Sequence, residues 1–316
     1  MLRYAIRRLL LMIPVIIGVS FFIFFVMDMA PGDVVDIMVA EADLTECEVI
    51  ALRALHGLDR SVFYRYFRYM QNFVRGDLGI SAISRMPVLD SFMQRLPATM
   101  QLAGASILVT VILSIPFGIY AAIKHGKIQD NIAMVLALIG LSVPNFWLGL
   151  MFIILFSLNL GWFPSGGNLQ WNSIFLPALT LGTDLTATLA RTTRSSMLDV
   201  LNQDYLRMAR AKGVPERSVV MKHALRNALI PIVTISGGQF AFIMGGAVLI
   251  ETVFAWPGVG TLIVNAVNQR DTAMVTGSII LTTFIGGMIV FIVDMLYALI
   301  DPRVAIKYAK GGGRKS

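Results

Sequence analysis

The sequence predicts an all-α fold: a polytopic membrane helix bundle of six spans, with a small extracytoplasmic domain after the first span. Three observations carry that reading. Of the 316 residues, 56% are hydrophobic and only 14% charged, whereas soluble domains sit near ~45–50% apolar and ~25% charged. The apolar residues gather into runs long enough to cross a bilayer, which takes about 20 residues. The lysines and arginines stand beside those runs rather than on a separate basic face. The formal charge of +7 therefore points to a membrane and away from nucleic acid.

Residues 1–30 open with Arg3, Arg7 and Arg8, followed by an almost wholly apolar stretch from Leu9 to Met29. The basic start is like that of a signal peptide. The run is long enough to span, however, and no clear small-residue cleavage site follows, so it is expected to remain as the first span. Residues 31–99 mix acidic, aromatic and arginine residues, with turn signals at His56-Gly57 and Gly76-Asp77. They are expected to form the extracytoplasmic domain, either packed on the spans or serving as a platform for an external partner. Residues 100–316 form the core, with spans near 100–123, 132–157, 174–190, 228–250 and 275–300. Asp184 interrupts the fourth span, and Trp162 and Trp171 bracket the loop before it, as interfacial aromatics do. Several glycines, among them Gly118 and Gly287, fall inside spans. In the fifth, Gly237, Ala241 and Gly245 repeat at every fourth position, a spacing that lets helices approach closely. Packing within the chain is the expectation there.

Orientation follows from the basic residues near the span ends. With the N-terminus inside, the inner segments hold Arg3, Arg7, Arg8, Lys124 and Lys127, eight Lys and Arg between Arg191 and Arg226, and five after Asp301. The short outer loops hold only Arg270. Both termini and the 191–227 loop are thus expected in the cytoplasm, with the chain in a bacterial-type inner membrane.

Cys47 is the only cysteine, which excludes an intrachain disulfide, and His56, His125 and His223 show no metal-ligand spacing. The tail GGGRKS lacks the spacing and the Gly-Lys pair of a P-loop. No HExxH and no nucleophile elbow occurs. The chain is not expected to be an enzyme or to bind a cofactor of its own. Any energised work would draw on a partner or an ion gradient. Asp184 lies about ten residues, or about 15 Å, into its span, near the bilayer midplane, where a carboxylate by default marks a pathway. Asp184 and Gln239 are the candidates for a translocation path. The structural alternative for Asp184 is a carboxylate satisfied by Thr183 or Thr186. Asp294 is expected to be structural, pairing with Arg191 or Arg194. An ion-coupled secondary transporter would usually carry more such groups and show symmetry between halves, and no such repeat is visible.

The stretch Asp204–Pro231 is the longest polar interval in the second half of the chain. Basic residues alternate there with Leu206, Met208, Val219, Val220 and Leu225, and Gly213 and Pro215 interrupt it. Gly permits positive φ and Pro suits the first turn of a helix. The pattern predicts helix, tight turn, helix: a compact knob, or else a basic loop lying on the inner membrane surface.

A likeness covers nearly the whole chain. It is carried by RRLLLMIPVIIGVS at 7–20, Pro31-Gly32-Asp33, Gly57-Leu58-Asp59, Gly76 through Ser81, Pro87-Val88, Arg95 through Thr99 and GWFPSGG at 161–167. It continues with Leu176 through Leu179, Arg191 through Ser196, DYLRMARAKGV at 204–214, KHALRNALIP at 222–231, and Glu251 with FAWPGVG to Arg270-Asp271. With these the chain resembles the permease subunits of binding-protein-dependent ABC importers, in the dipeptide, oligopeptide, nickel and glutathione branch. The glutathione and dipeptide members are the most similar.

The resemblance implies that the glycine-centred loop is the EAA-type coupling loop, whose helices sit in a groove of an ATPase subunit. Arg207-Met208-Ala209 stands in the place of Glu-Ala-Ala, so no glutamate-mediated contact carries over. Gly213 would fix the bend with Pro215 after it. Ala209, Ala211 and Leu225 would supply apolar docking surface, and Arg207, Arg210 and Lys212 would steer the knob to an acidic groove. Departures occur at Val34 and Ala273, where the branch often has proline, and Asp184 has no counterpart in the family pattern. The implied partners are a second, homologous permease, two cytoplasmic ATPases holding ATP and Mg, an extracytoplasmic substrate-binding protein and the lipid bilayer. The expected function is half of an ATP-driven translocation path for small peptides or glutathione. The alternatives are nickel import, ion-coupled transport and a membrane scaffold.

Overall fold

The computed structural model describes residues 2–29, 35–36, 39, 46–55 and 57–300. The Pro31-Gly32-Asp33 motif, His56 and the basic tail after Asp301 lie outside the described residues. Helix α1 (Leu2–Met29) is apolar on nearly every side, and most of its side chains are exposed. That is how a span at the edge of a bundle looks when its solvent is lipid. Two shorter helices follow, α2 (Glu46–Leu55) and α3 (Val62–Val74). Ser61 caps α3 by accepting the Tyr64 N–H, which satisfies one of the free donors at that end.

Helix α4 (Val88–Ile123) has 36 residues, about 54 Å at 1.5 Å per residue, against about 30 Å of hydrocarbon. It begins inside the 31–99 segment, so residues 88–99 are the first turns of the helix that holds the expected second span. The stretch expected as the third span is a bent helix pair rather than one continuous helix. Helix α5 (Ile128–Ser142) stops at Val143, which is extended at φ −86° and ψ 122°, and α6 (Asn145–Phe152) leaves at a bend of 93°. Pro144 is the cause, because a residue before proline is pushed out of the α region. A π-helical turn, Ile153–Asn159, continues α6.

Helix α7 (Phe175–Leu201) holds Asp184. Helix α8 (Asp204–Ala211) is followed by a short turn, Glu216–Ser218, and a π-helical segment, Val219–Ala224, that runs into α9 (Leu225–Gly246). Helices α10 (Val248–Val253) and α11 (Val259–Asn268) lie between the fifth and last spans, and α12 (Thr272–Ile300) closes the bundle. Five described helices are long and apolar enough to cross a membrane, and the bent pair makes six if it counts as one span.

The central pair is α4 with α7. A Cβ at Gly118 would stand 2.5 Å from the Thr193 Cβ and 2.7 Å from the Ala190 carbonyl oxygen, and one at Gly182 would stand 2.8 Å from Val109. The two backbones meet because no side chain separates them, which suits a bundle held by packing rather than by water exclusion. Around that seam Leu102, Leu176, Ile243, Ile250 and Phe254 form the main apolar cluster. A second cluster, with Ile119, Met197, Leu206 and Val220, sits at the basic end of the bundle. A third, with Leu78, Val88, Ala266 and Val275, sits at the opposite end.

Helix α1 leans on α12. Met12 fills the space over Gly287, and Arg8 pairs with Asp294 at 3.1 Å. The sequence expectation gave Asp294 to Arg191 or Arg194. That is corrected: the first helix returns beside the last, and Arg194 is engaged elsewhere. The glycine stripe of α9 is used at one end. A Cβ at Gly237 would meet Val293 at 2.4 Å, whereas Gly245 has open space.

Candidate functional site

The Asp204–Pro231 stretch folds as a knob. Helix α8 ends where the Gly213 and Val214 N–H groups reach back to the Arg210 and Ala209 carbonyls, at 2.9 and 3.3 Å. Gly213 sits at φ +80°, the left-handed region, with nothing within 4 Å of where a Cβ would stand. The constraint there is backbone conformation and not space. Arg210 clamps the turn, donating to both Glu216 oxygens at 3.0 and 2.9 Å.

Leu206, Val219 and Ala224 have no exposed surface and pack against Ile119, Ala122, Met197 and Val200 from the basic ends of α4 and α7. The knob is therefore rigidly seated on the spans. Ala209 and Leu225 turn inward against that same cluster. The apolar atoms that face outward belong to Met208 and Met221, 61% and 49% exposed, together with Ala211. Sequence reasoning placed Ala209 and Leu225 on the outer surface and passed over the two methionines. The available signal was helical spacing, since with Leu206 inside, Met208 faces away from it. Arg207, Lys212 and Pro215 are exposed, and Arg207 lies 3.6 Å from Asp204.

Beside the knob, the turn between α4 and α5 is tied to α7. Arg194 donates through Nε and Nη2 to the two oxygens of buried Asp130, each at 2.6 Å. His125 Nδ1 lies 3.2 Å from Asp130 and 3.0 Å from Arg194. Sequence reasoning did not find this clamp. Its partners are 64 residues apart, and only the meeting of α5 with α7 reveals it.

Deeper in the bundle, the break in the third span meets Asp184. Asn145 Nδ2 donates to Asp184 Oδ2 at 3.2 Å. Thr183 and Thr186 do not satisfy Asp184, because their hydroxyls donate to the Leu179 and Gly182 carbonyls of their own helix. Gln239 reaches from α9 to the Leu185 carbonyl at 3.1 Å, and its Oε1 has no partner among the described residues. The two path candidates thus come together: Gln239 is bonded to the residue after Asp184. Irregular backbone at membrane depth persists only where protein buries it or a polar cavity adjoins it, and in transporters such breaks adjoin binding sites.

At the opposite end, Glu251 organises the turn between α10 and α11. It is fully buried and accepts from Thr99 Oγ1 at 2.7 Å and the Thr261 N–H at 3.0 Å. Trp256 Nε1 donates to the Ala98 carbonyl at 2.9 Å, and the Val259 N–H to Thr99 Oγ1 at 2.8 Å. Burial pushes the Glu251 carboxyl above its ordinary value, and the hydrogen bonds from Thr99 and the Thr261 and Gly260 amides pull the other way. The Arg95–Thr99 and Glu251–Gly260 stretches, noted in the sequence only as a likeness, are here one hydrogen-bonded unit.

A helical membrane bundle with a polar knob seated at one end and polar groups beside a bent helix pair fits a transport subunit. Residues 114–306 match the binding-protein-dependent transport system inner membrane components, and residues 1–103 match the N-terminal region of such components. The chain belongs to this family. Glutathione transport system permease proteins GsiC of Escherichia coli K12 and of Shigella dysenteriae serotype 1 are each 42% identical over 308 residues, covering 97% of this chain and all of theirs. Among solved structures, the MetNI methionine ABC transporter in an inward-facing conformation matches with a TM-score of 0.57 at 18% identity. That match covers 66% of this chain and 96% of the other, and it bears on the fold alone.

Proposed function

We propose that this chain forms half of the translocation path of an ATP-driven importer for glutathione or small peptides, paired with a homologous permease. Both termini and the knob face the cytoplasm, and the knob docks into an ATPase subunit. The carrying observation is the seating of the knob. Buried Leu206, Val219 and Ala224 lock it to the ends of α4 and α7, while Met208, Met221 and Ala211 face outward. A lever so seated moves with the spans. ATP binding would draw the two ATPases together and change the angle between the permease halves, provided the knob fits two ATPase arrangements whose populations nucleotide shifts.

Glutathione or a small peptide is preferred to nickel because the relatives named above belong to glutathione systems. The Asn145–Asp184 pair at the broken span would attract the amino group such substrates carry. The ligand retained by the cognate external binding protein after purification identifies the substrate directly.

The test of coupling is Gly213→Val. A β-branched residue at positive φ is strained, at a cost of about 1–2 kcal/mol, and the knob's bend would open. The assembled complex is expected to hydrolyse ATP while importing little. Normal uptake by normal amounts of complex would sink the idea. For the path, Asp184→Asn is expected to lower uptake of substrates with a free amino group more than of N-blocked analogues, and equal rates for both would remove Asp184 from the path.

A further inference from the structure

Helix α3 carries an apolar arc that the bundle covers only in part. At about 100° per residue, Tyr66, Met70, Phe73, Phe63, Phe67 and Val74 fall on one arc about 120° wide, and Arg68, Asn72 and Arg75 fall on the other side of the helix. Helix α1 covers the Tyr66 side. The Tyr66 ring meets Phe21 and Phe24 at centroid distances of 5.4 and 5.7 Å, and its hydroxyl lies 3.0 Å from Ser20 Oγ. The rest of the arc is bare, with Phe63, Phe67 and Val74 exposed by 65%, 64% and 81%.

Depth argues for what covers it. Arg8 and Asp28 are the polar limits of the apolar stretch of α1. Roughly 20 residues separate them, about 30 Å, which is the thickness of the hydrocarbon core. On that scale Phe21 and Ser20 lie about 10–12 Å inside the Asp28 limit. Phe63 packs on Phe21 with ring centroids 6.4 Å apart, so α3 lies alongside the membrane-embedded part of α1 rather than beyond its end. Arg65 of α3 pairs with Asp28 at the polar limit itself. Phe21 also stacks on Phe25 at 6.1 Å, and Phe21, Phe22 and Phe25 are exposed on a helix whose surroundings are lipid. Through Phe21, the bare side of α3 is continuous with that lipid-facing surface.

We propose that α3 is an interfacial helix, lying in the boundary of the bilayer on the Asp28 side. Phe63, Phe67 and Val74 sit among the acyl chains, and Arg68 and Arg75 among the headgroups. Interfacial helices sink about 5–10 Å, close to the roughly 10 Å at which Phe63 meets Phe21. The occupant of the bare face is lipid, and only the opposite, arginine-bearing face of α3 is left for water or an external protein.

Nitroxide labels test this in the assembled importer reconstituted in bilayers. In a Cys47→Ser background, which removes the exposed native thiol, Phe67→Cys, Val74→Cys and Arg68→Cys are labelled singly. Collisions with oxygen, which concentrates in lipid, are expected to exceed those with a water-soluble nickel chelate at 67 and 74, and the order is expected to reverse at 68. A chelate excess at 67 and 74 would put the face in water. Exclusion of both reagents there would put it against another protein chain. Either result overturns the proposal, and positions 67 and 74 report independently should one variant fail to assemble.

Discussion

Glu251 has no exposed surface, and both its oxygens are engaged, by Thr99 on one side and the Thr261 N–H on the other. Gly258 allows this: a Cβ there would stand 2.1 Å from Glu251 Oε1. Because burial raises the carboxyl's pKa, the folded state favours the neutral form more than the unfolded chain does. Its contribution to stability is therefore fully present below the unfolded value, and it is lost as pH rises through the folded one. Wild type is expected to gain thermal stability relative to Glu251→Gln as the pH is lowered from about 8 to about 4. Thermal unfolding of the purified complex at the two values checks this, and a constant difference would show that the group does not titrate with folding. Asp184 is the contrasting residue. It is half-buried and, among the described residues, accepts one amide bond, from Asn145, which leaves acceptor capacity for something else.

At the scale of elements, the α4–α7 seam and the kinked third span define the geometry through which the knob would act. Gly118 is the tightest point of the seam between α4 and the part of α7 nearest the knob. Gly118→Val places its Cβ against the Ala190 backbone oxygen and the Thr193 side chain, and overpacking of this kind costs about 1–3 kcal/mol. A lower melting temperature is expected. Gly104→Val, on the same helix but with nothing within 4 Å, should melt like wild type. Equal losses in both would mean that the strain is intrinsic to α4 and not to the seam. The helix–turn–helix of the knob was legible in the sequence because Gly213, Pro215 and the alternating apolar residues act locally. Its outward face was legible only once the side that Leu206 buries is known. Whether Ala209 or Met208 points away depends on how α8 is rotated against α4 and α7, and no residue within α8 sets that rotation alone.

For the whole molecule, the question is how the first helix joins a core it reaches only at the edge. Helix α1 meets α12 through the Met12–Gly287 fit and the Arg8–Asp294 pair. Asp294→Arg is expected to lower the yield of assembled complex, because two positive charges would then face each other in a low-dielectric setting. Adding Arg8→Asp should restore it. Equal yields from the single and double variants, measured by co-purification, would show that the pair does not hold α1.

Composition, runs of apolar residues and glycine–proline punctuation determined the helical membrane class and the bent knob. These are local properties, each fixed within a few turns of chain. Only the tertiary structure decided that Asp130 belongs to Arg194 and Asp294 to Arg8, and that Gln239 bonds beside Asp184. The reason is physical. A charge or amide can satisfy itself with any complementary group the fold brings within about 3 Å, and sequence separation says nothing about which one that is.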